Sequence, residues 1–111
     1  MNRRLLEVMP PVTLLPVRAS PALEQDAGRL TLDLAAALRK RGVRAVKPGA
    51  DPLPRFECVL EEDAGRRRLH ASLYDTAGGR PVWQHTFTPF TEDDVSGAMA
   101  RALRDLTRRD R

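Results

Sequence analysis

The sequence predicts an α/β (α+β) fold, a two-layer sandwich with both helices on one face of a mixed sheet, in the order β-α-β-β-β-β-α. Three patterns predict it. A strand, a helix and a second strand open the chain, which implies a parallel, right-handed crossover. Three segments of alternating hydrophobicity follow, and an amphipathic helix ends the pattern. The chain has 111 residues, the size of one domain, and we assign residues 1–111 to a single domain.

The opening unit is predicted from an apolar segment and a helical repeat. VTLLPV, Val12 to Val17, is almost continuously apolar, as is typical of a strand buried on both faces. Ser20 is placed to cap a helix that begins at Pro21. Gly42 suits the end of that helix, and VRAV, residues 43–46, predicts the second strand. The apolar residues at helical spacing are Leu23, Ala27, Leu30, Leu34, Ala37 and Leu38.

The first hairpin of the meander can be aligned from the sequence. Residues directly opposite each other in an antiparallel pair share a face. With Ala64 and Gly65 at the tip, apolar residues of FECVLEE meet apolar residues of RLHASLY, and glutamates meet arginines. A slip of one residue would spoil both sets. The predicted pairs are Leu60–Leu69, Cys58–Ala71, Phe56–Leu73, Glu61–Arg68 and Glu62–Arg67.

The second hairpin is aligned in the same way. Asp75 is predicted to begin a type I turn, with Gly78 in the left-handed conformation. This register sets Ala71 opposite Trp83 and Leu69 opposite His85. Trp83 and Phe87 then join the core face, whereas the other face is polar and exposed. The residues predicted for the polar face are His70, Ser72, Tyr74, Arg80, Gln84 and Thr86.

The last helix follows Pro89. Thr91 is its predicted N-cap and Asp94 lies three residues later, a partial capping box. Acidic residues in the first turn and arginines in the last turn suit the helix dipole. One face of the helix is apolar, formed by Val95, Ala98, Met99, Ala102, Leu103 and Leu106.

The basic composition raises the alternative of a small nucleic-acid-binding domain. The net charge is +4, but seventeen arginines stand against two lysines, a bias typical of GC-rich codons. The run Arg66–Arg68 is the best candidate for phosphate contacts. The predicted register sets Glu61 and Glu62 opposite two of its arginines, and no aromatic residues interleave with it. Nucleic acid therefore remains the second choice of partner.

No catalytic, cofactor or metal site is predicted. Cys58 falls on the apolar face, where a thiol is inert. His70 and His85 fall on opposite faces, and no Cys or His spacing fits zinc. The acidic run 92–94 is explained by helix capping. We therefore expect a protein that is not an enzyme.

The chain start, MNRRLLEVMPPVTLLPVRAS, only faintly resembles a signal peptide, since Glu7, Pro10 and Pro11 interrupt its apolar part. No apolar run is long enough to span a bilayer. We expect a cytoplasmic protein; the alternative is a periplasmic one, if the chain is an excised or signal-less domain.

Residues 69–103, LHASLYDTAGGRPVWQHTFTPFTEDDVSGAMARAL, resemble the closing hairpin and helix of the amino-terminal domain family of the translocation protein TolB. VTLLPV and the helix after it resemble that family's opening. Envelope members of the family carry a signal peptide or a lipidated cysteine, and no convincing example of either is expected here; TolB itself continues into a propeller. The resemblance implies a small α/β module that binds protein partners without catalysis, an argument by fold analogy.

A partner-binding surface is predicted at the last strand, Val82 to Phe87. As the final strand of the meander it is expected at the sheet edge, where it can accept an extended segment of a protein partner. The candidate partner-binding side chains beside it are Tyr74, Arg80, Gln84 and His70. The alternative is a solvated edge kept monomeric by Pro81 and nearby charge. The oligomeric state is left open.

Overall fold

A computed structural model describes residues 9–49, 52–76 and 79–109. It contains two helices and a six-stranded mixed sheet, which confirms the predicted α/β fold class. The elements are β1 (Val12–Leu14), β2 (Arg18–Ala19), α1 (Glu24–Lys40), β3 (Ala45–Val46), β4 (Arg55–Asp63), β5 (Arg66–Tyr74), β6 (Pro81–Phe87) and α2 (Glu92–Arg109).

The sheet is parallel on one side and antiparallel on the other. Its order is β3-β1-β4-β5-β6, with β2 pairing β4 beyond the end of β1. Strand β1 is parallel to β3 and β4, and β2 is parallel to β4. Strands β4, β5 and β6 form the antiparallel meander. A long crossover through α1 is what allows β1 and β3 to run parallel.

Both helices lie on one face of the sheet. They pack against each other, α1 beside β2 and β3 and α2 beside β5 and β6. Alternate residues of β4 and β5 are buried beneath this layer, whereas the residues between them are half-buried or exposed. The central core residues are Leu34, Leu38, Phe56, Cys58, Leu60, Leu69, Ala71, Leu73, Met99 and Leu103.

The predicted first strand is interrupted. The ladder runs from Val12 to Leu14 and resumes only at Arg18. Pro16 has no N–H to donate to a ladder. The N–H of Val17 donates instead to Oγ1 of Thr31 on α1 (2.9 Å), so the chain leaves the sheet for the helix before it returns to β4.

The C-terminal end of α1 has the predicted structure, whereas the N-terminal end does not. A 3-10 turn over Pro21–Leu23 precedes the helix, and the Ser20 side chain makes no capping hydrogen bond. Only the Ser20 carbonyl is used, accepting from the N–H of Leu23 (2.9 Å). At the other end Gly42 is left-handed (φ 84°), and the N–H of Val43 donates to the Leu38 carbonyl (2.9 Å). This is a Schellman motif, which confirms the predicted end.

The register predicted for the β4–β5 hairpin is confirmed over all five pairs. Ala64 and Gly65 form its tip with φ values of 53° and 77°, as in a type I′ turn. This turn twists in the same sense as the strands, so it holds one alignment of the apolar faces.

The register predicted for the β5–β6 hairpin is wrong by two residues. Leu73 lies opposite Trp83, Ala71 opposite His85 and Leu69 opposite Phe87, with an irregularity between Leu73 and Tyr74. The connection after Tyr74 is longer than the tight turn proposed from Asp75; Gly78 itself lies outside the described residues. A shift of two preserves the side-chain alternation, so the faces are as predicted although the partners are not.

Helix α2 begins as predicted. The N–H of Asp94 donates to Oγ1 of Thr91 (3.1 Å), and the predicted apolar stripe faces the core. The N-terminal turns of α2 also meet the end of α1 through Arg41, whose Nε donates to Oγ of buried Ser96 (3.0 Å). Its Nη2 donates to Oδ1 of Asp93 (2.8 Å). Gly97 permits this approach, since a Cβ there would lie 3.3 Å from the guanidinium.

Candidate protein-binding surface

The helix-free face of the meander is the candidate surface. We define it as the side chains of β4, β5 and β6 that point away from the helices. Of the predicted partner-binding residues, His70, Tyr74 and Gln84 belong to it, because strand alternation places them opposite the buried residues. Arg80 is exposed in the bend before β6, outside the strand, so alternation does not assign it to this face.

Tyr74 is held by a neighbour that was not predicted. The guanidinium carbon of Arg55 lies 4.2 Å from the Tyr74 ring centroid, a cation–π contact. Nε of Arg55 also donates to Oε2 of Glu57 (2.8 Å). The signal was present in the sequence, because the predicted Phe56–Leu73 pair places Arg55 directly opposite Tyr74. One face of the Tyr74 ring is thus occupied by Arg55.

His70 joins the three strands of the meander. Its Nδ1 lies 2.9 Å from Oγ1 of Thr86 on β6, and its Nε2 lies 2.8 Å from Oε1 of Glu61 on β4. Both ring nitrogens therefore have partners within the protein. His70 contributes to the shape of the helix-free face more than it offers an unused donor or acceptor to a ligand.

An aromatic row lies on the opposite, helix-side face of β6. Trp83 packs edge-on against Phe56, with ring centroids 6.3 Å apart. His85 is stacked on Trp83 at 6.4 Å and meets Phe87 at 4.6 Å. His85 lies on the side predicted for it, but it is exposed, because β6 is the edge strand and α2 covers only part of it.

Among residues 9–49, 52–76 and 79–109, no strand pairs with the outer edge of β6, the side facing away from β5. The position of β6 confirms the predicted edge strand. The sequence from Pro81 to Thr91 contains no Asp, Glu, Lys or Arg, although 31% of the whole chain is charged. Val82 is 38% exposed, one of the most exposed large apolar side chains among the described residues. The edge strand thus lacks the charges that usually discourage pairing with another chain.

Cys58 lies in an environment that disfavours a reactive thiolate. It is buried against the core, and burial, followed by the nearby charge of Glu57, raises its pKa to about 12. Reactive thiols need the opposite environment, exposed and positively charged. Within residues 9–49, 52–76 and 79–109, no three His, Cys, Asp or Glu side chains cluster in a way that could hold a metal ion.

The arginine run of β5 is paired with acids. Nε of Arg67 donates to Oε1 of Glu62 (3.0 Å), and Nη2 donates to Oδ2 of Asp26 on α1 (2.6 Å). These hydrogen bonds raise the pKa of Arg67. The predicted Glu62–Arg67 pair is thus present as an ion pair. Two of the three arginines of the run face carboxylates, which leaves the nucleic-acid alternative without structural support.

The other predicted charge pair is not formed. Glu61 and Arg68 lie opposite each other in the register, but Glu61 turns to His70. Nη2 of Arg68 lies 3.6 Å from Oδ2 of Asp63 instead. The sequence predicted the backbone alignment and not the choice among neighbouring side-chain partners.

Neither helix in the described part of the chain has the length and apolarity needed to cross a lipid bilayer.

No family model matches the sequence. No curated protein matches it either. The similarity found is to solved bacterial structures, and at this level of identity it shows the fold alone.

A Xanthomonas campestris protein of family DUF330 superposes with a TM-score of 0.58 at 14% identity, covering 87% of this chain and 78% of that one. The PelC dodecamer from Paraburkholderia phytofirmans gives 0.52 at 14%, covering 79% of each chain. A point variant of PelC gives 0.54 at 15%, covering 79% and 81%. These solved structures are small bacterial α/β proteins and not TolB domains, so the similarity shown is one of fold.

Proposed function

We propose that this chain is a non-catalytic interaction or accessory module that receives an extended segment of a protein partner on the outer edge of β6. The observation that carries the proposal is the charge-free edge strand. Addition of a strand to such an edge provides main-chain hydrogen bonds, and neighbouring pockets select the side chains of the partner.

The protection of this edge is slight. Pro81 lacks an N–H, but it stands at the first position of β6, so it removes a single donor and leaves the residues from Val82 onward able to pair. A charged residue or a covering element would be the usual protection. The alternative of a solvated edge therefore depends on Pro81 and on Arg80 beside it.

Tyr74, Gln84 and His70 on the helix-free face, together with Arg80 in the bend beside it, are proposed to recognise the partner. Tyr74 packs against Arg55, and tyrosine and arginine are enriched among residues that dominate binding energy. His70 is proposed to support the surface through Glu61 and Thr86.

The absence of catalysis is part of the proposal. It is supported by the raised pKa of buried Cys58 and by the engagement of both His70 ring nitrogens. The resemblance to the TolB amino-terminal family implies a protein-binding role of the same kind. PelC, a protein of similar fold, is a dodecamer and is thus one example of this fold in a protein assembly.

Photo-cross-linking in the producing cells tests the proposal. A photoreactive residue replaces exposed Gln84, and the control replaces Leu32, which is 71% exposed on α1. We expect protein adducts at Gln84 and none at Leu32. Tyr74→Ala and Arg80→Ala should each lower the adduct yield several-fold, as truncations of binding residues do, with the circular dichroism spectrum unchanged.

Equal adducts at the two positions, or none at Gln84, would contradict the proposal. If both alanine variants keep the full yield, Tyr74 and Arg80 contribute nothing to recognition and the backbone edge acts without them.

A further inference from the structure

We infer that the segment received by β6 is the β6 strand of a second copy of this chain, paired antiparallel about a two-fold axis at Gln84. This rests on the proposed function, since it names the partner of the same edge. Closed two-fold dimers use one self-complementary surface from each copy, and β6 has that property.

The sequence of β6 matches itself in one register. Gln84 is the middle residue of Pro81–Phe87, so centring the axis there gives every residue of β6 a partner in the other β6. Gln84 meets Gln84, and its amide can both donate and accept. Trp83 meets His85, an aromatic pair on the helix side, and Val82, the extra residue at the irregularity of the β5–β6 ladder, falls opposite Thr86 at the outer edge. Aromatic cross-strand pairs stabilise sheets.

The pairing also keeps the two layers aligned. Opposed residues share a face, so the helices of both copies lie on the same side of one continuous sheet. The half-covered Trp83 and exposed His85 gain neighbours there, and exposed Val82 gains a neighbour at the edge. Moving the axis to Trp83 or His85 leaves residues at one end of β6 without a partner.

Charge does not oppose this occupant at the β6 edge. The chain carries a net charge of +4, so two copies repel each other over most surfaces. The edge from Pro81 to Thr91 has no charged residue. In the Gln84-centred register, Arg80 falls opposite Thr88 of the second copy and not opposite another cation.

Disulfide trapping of the full chain tests the register. Under mild oxidation, Gln84→Cys should cross-link at least about tenfold faster than Leu32→Cys, because opposed Cβ atoms lie about 5 Å apart across a sheet. A mixture of Val82→Cys and Thr86→Cys chains should give the mixed disulfide. Val82→Cys alone should not cross-link, since its two copies would lie about 13 Å apart along the strands. Buried Cys58 contributes little background.

Sedimentation of the unmodified chain should show a dimer. Gln84→Lys places like charges directly opposite each other, which is destabilising, and should raise the dimer Kd by about tenfold or more while the circular dichroism spectrum is kept. A monomer at high micromolar concentration, a Gln84→Cys rate equal to that of Leu32→Cys, or an unchanged Kd for Gln84→Lys would overturn the inference.

The photo-cross-linking experiment separates this inference from the proposed function. Adducts at Gln84 with the mass of two chains support both. Adducts of another mass alone keep the proposed function and overturn the second copy as its partner. No adduct at Gln84 overturns both.

Discussion

The two hairpins of the meander share β5, yet one register follows from the sequence and the other does not. The β4–β5 hairpin has a two-residue tip with two positive φ values and pairs every residue from Arg55 to Asp63. The β5–β6 hairpin has a longer connection and an irregularity at Leu73 and Tyr74. A tight turn fixes the alignment, whereas a longer one leaves several alignments that satisfy the same alternation.

The hairpins also differ in their outer strands. Strand β4 is central, and its inward side chains Phe56, Cys58 and Leu60 are fully buried. Strand β6 is the edge, and its inward row changes from buried Phe87 to exposed His85. Stability therefore depends mainly on the first hairpin, and the proposed binding surface lies on the second.

The largest expected difference between the hairpins is in thiol reactivity. A pKa of about 12 in place of 9.0 for Cys58 leaves about a thousandfold less thiolate at neutral pH. Native Cys58 should thus react with a thiol reagent at least about a hundredfold more slowly than the cysteine of Thr86→Cys on β6. Absorbance assays of both chains, native and in denaturant, measure this. Rapid labelling of native Cys58 would show that β4 opens or is exposed.

The same pKa gives a dependence of stability on pH. Between pH 9 and 12 the folded state keeps the Cys58 proton, whereas the unfolded thiol has lost its own. The contribution of Cys58 to the free energy of unfolding is therefore complete below pH 9 and falls as the pH rises toward 12. Cys58→Ala should unfold with a weaker pH dependence over that range. An identical dependence in both chains would contradict the assigned cause.

Truncating the packed rings of Phe56 on β4 and Trp83 on β6 should lower the free energy of unfolding by different amounts. Phe56→Ala removes a fully buried ring and should lower the free energy of unfolding by about 3–5 kcal/mol. Trp83→Ala removes a half-buried ring and should cost less than half as much, since less apolar area is lost. Urea unfolding at unchanged m-value measures both. A Trp83→Ala loss equal to that of Phe56→Ala would place β6 inside the core.

Much of the fold follows from local rules. The strand alternation, the turn at Ala64–Gly65 and the helix end at Gly42 each allow a single favourable local conformation. The predictions made from them are confirmed. Tertiary competition explains one failure, because Val17 donates to Thr31 instead of to the sheet. The missing side-chain cap at Ser20 has no structural explanation. Glu61 had two basic neighbours within reach, and nothing in the sequence favours His70 over Arg68.

In the candidate surface too, the features set by local rules were predicted and the others were not. Alternation placed His70, Tyr74 and Gln84 on one face, because face depends only on parity along a strand. Arg80 lies in a bend, where parity has no meaning. The contact between Arg55 and Tyr74 could have been predicted from the sequence, because extending the β4–β5 register by one pair places these two residues opposite each other.

Glycine substitutions should distinguish the two connections by a smaller amount. Gly65→Ala introduces a side chain at φ 77° with no atom within 4 Å of the new Cβ, so its cost is conformational, about 1–2 kcal/mol. Gly79→Ala in the second connection meets no atom within 4 Å and has no left-handed φ. It should be neutral or slightly stabilising. Ala64→Asn, which creates the preferred Asn-Gly pair, should stabilise. Equal losses at Gly65 and Gly79 would remove the distinction between the turns.

The smallest expected effect concerns the ion pairs of the first hairpin. Arg67→Gln breaks the contacts with Glu62 and Asp26, but all three side chains are at least 40% exposed, where water and salt weaken ion pairs. Chemical unfolding at physiological salt should barely distinguish this variant from the unmodified chain, and any difference seen at low salt should shrink as salt is added. Arg41→Gln is the matched control, because it removes a hydrogen bond to the buried hydroxyl of Ser96 and should cost more at every salt concentration. A loss for Arg67→Gln as large as that for Gly65→Ala, and insensitive to salt, would mean that charge pairing rather than the turn fixes the register of the first hairpin.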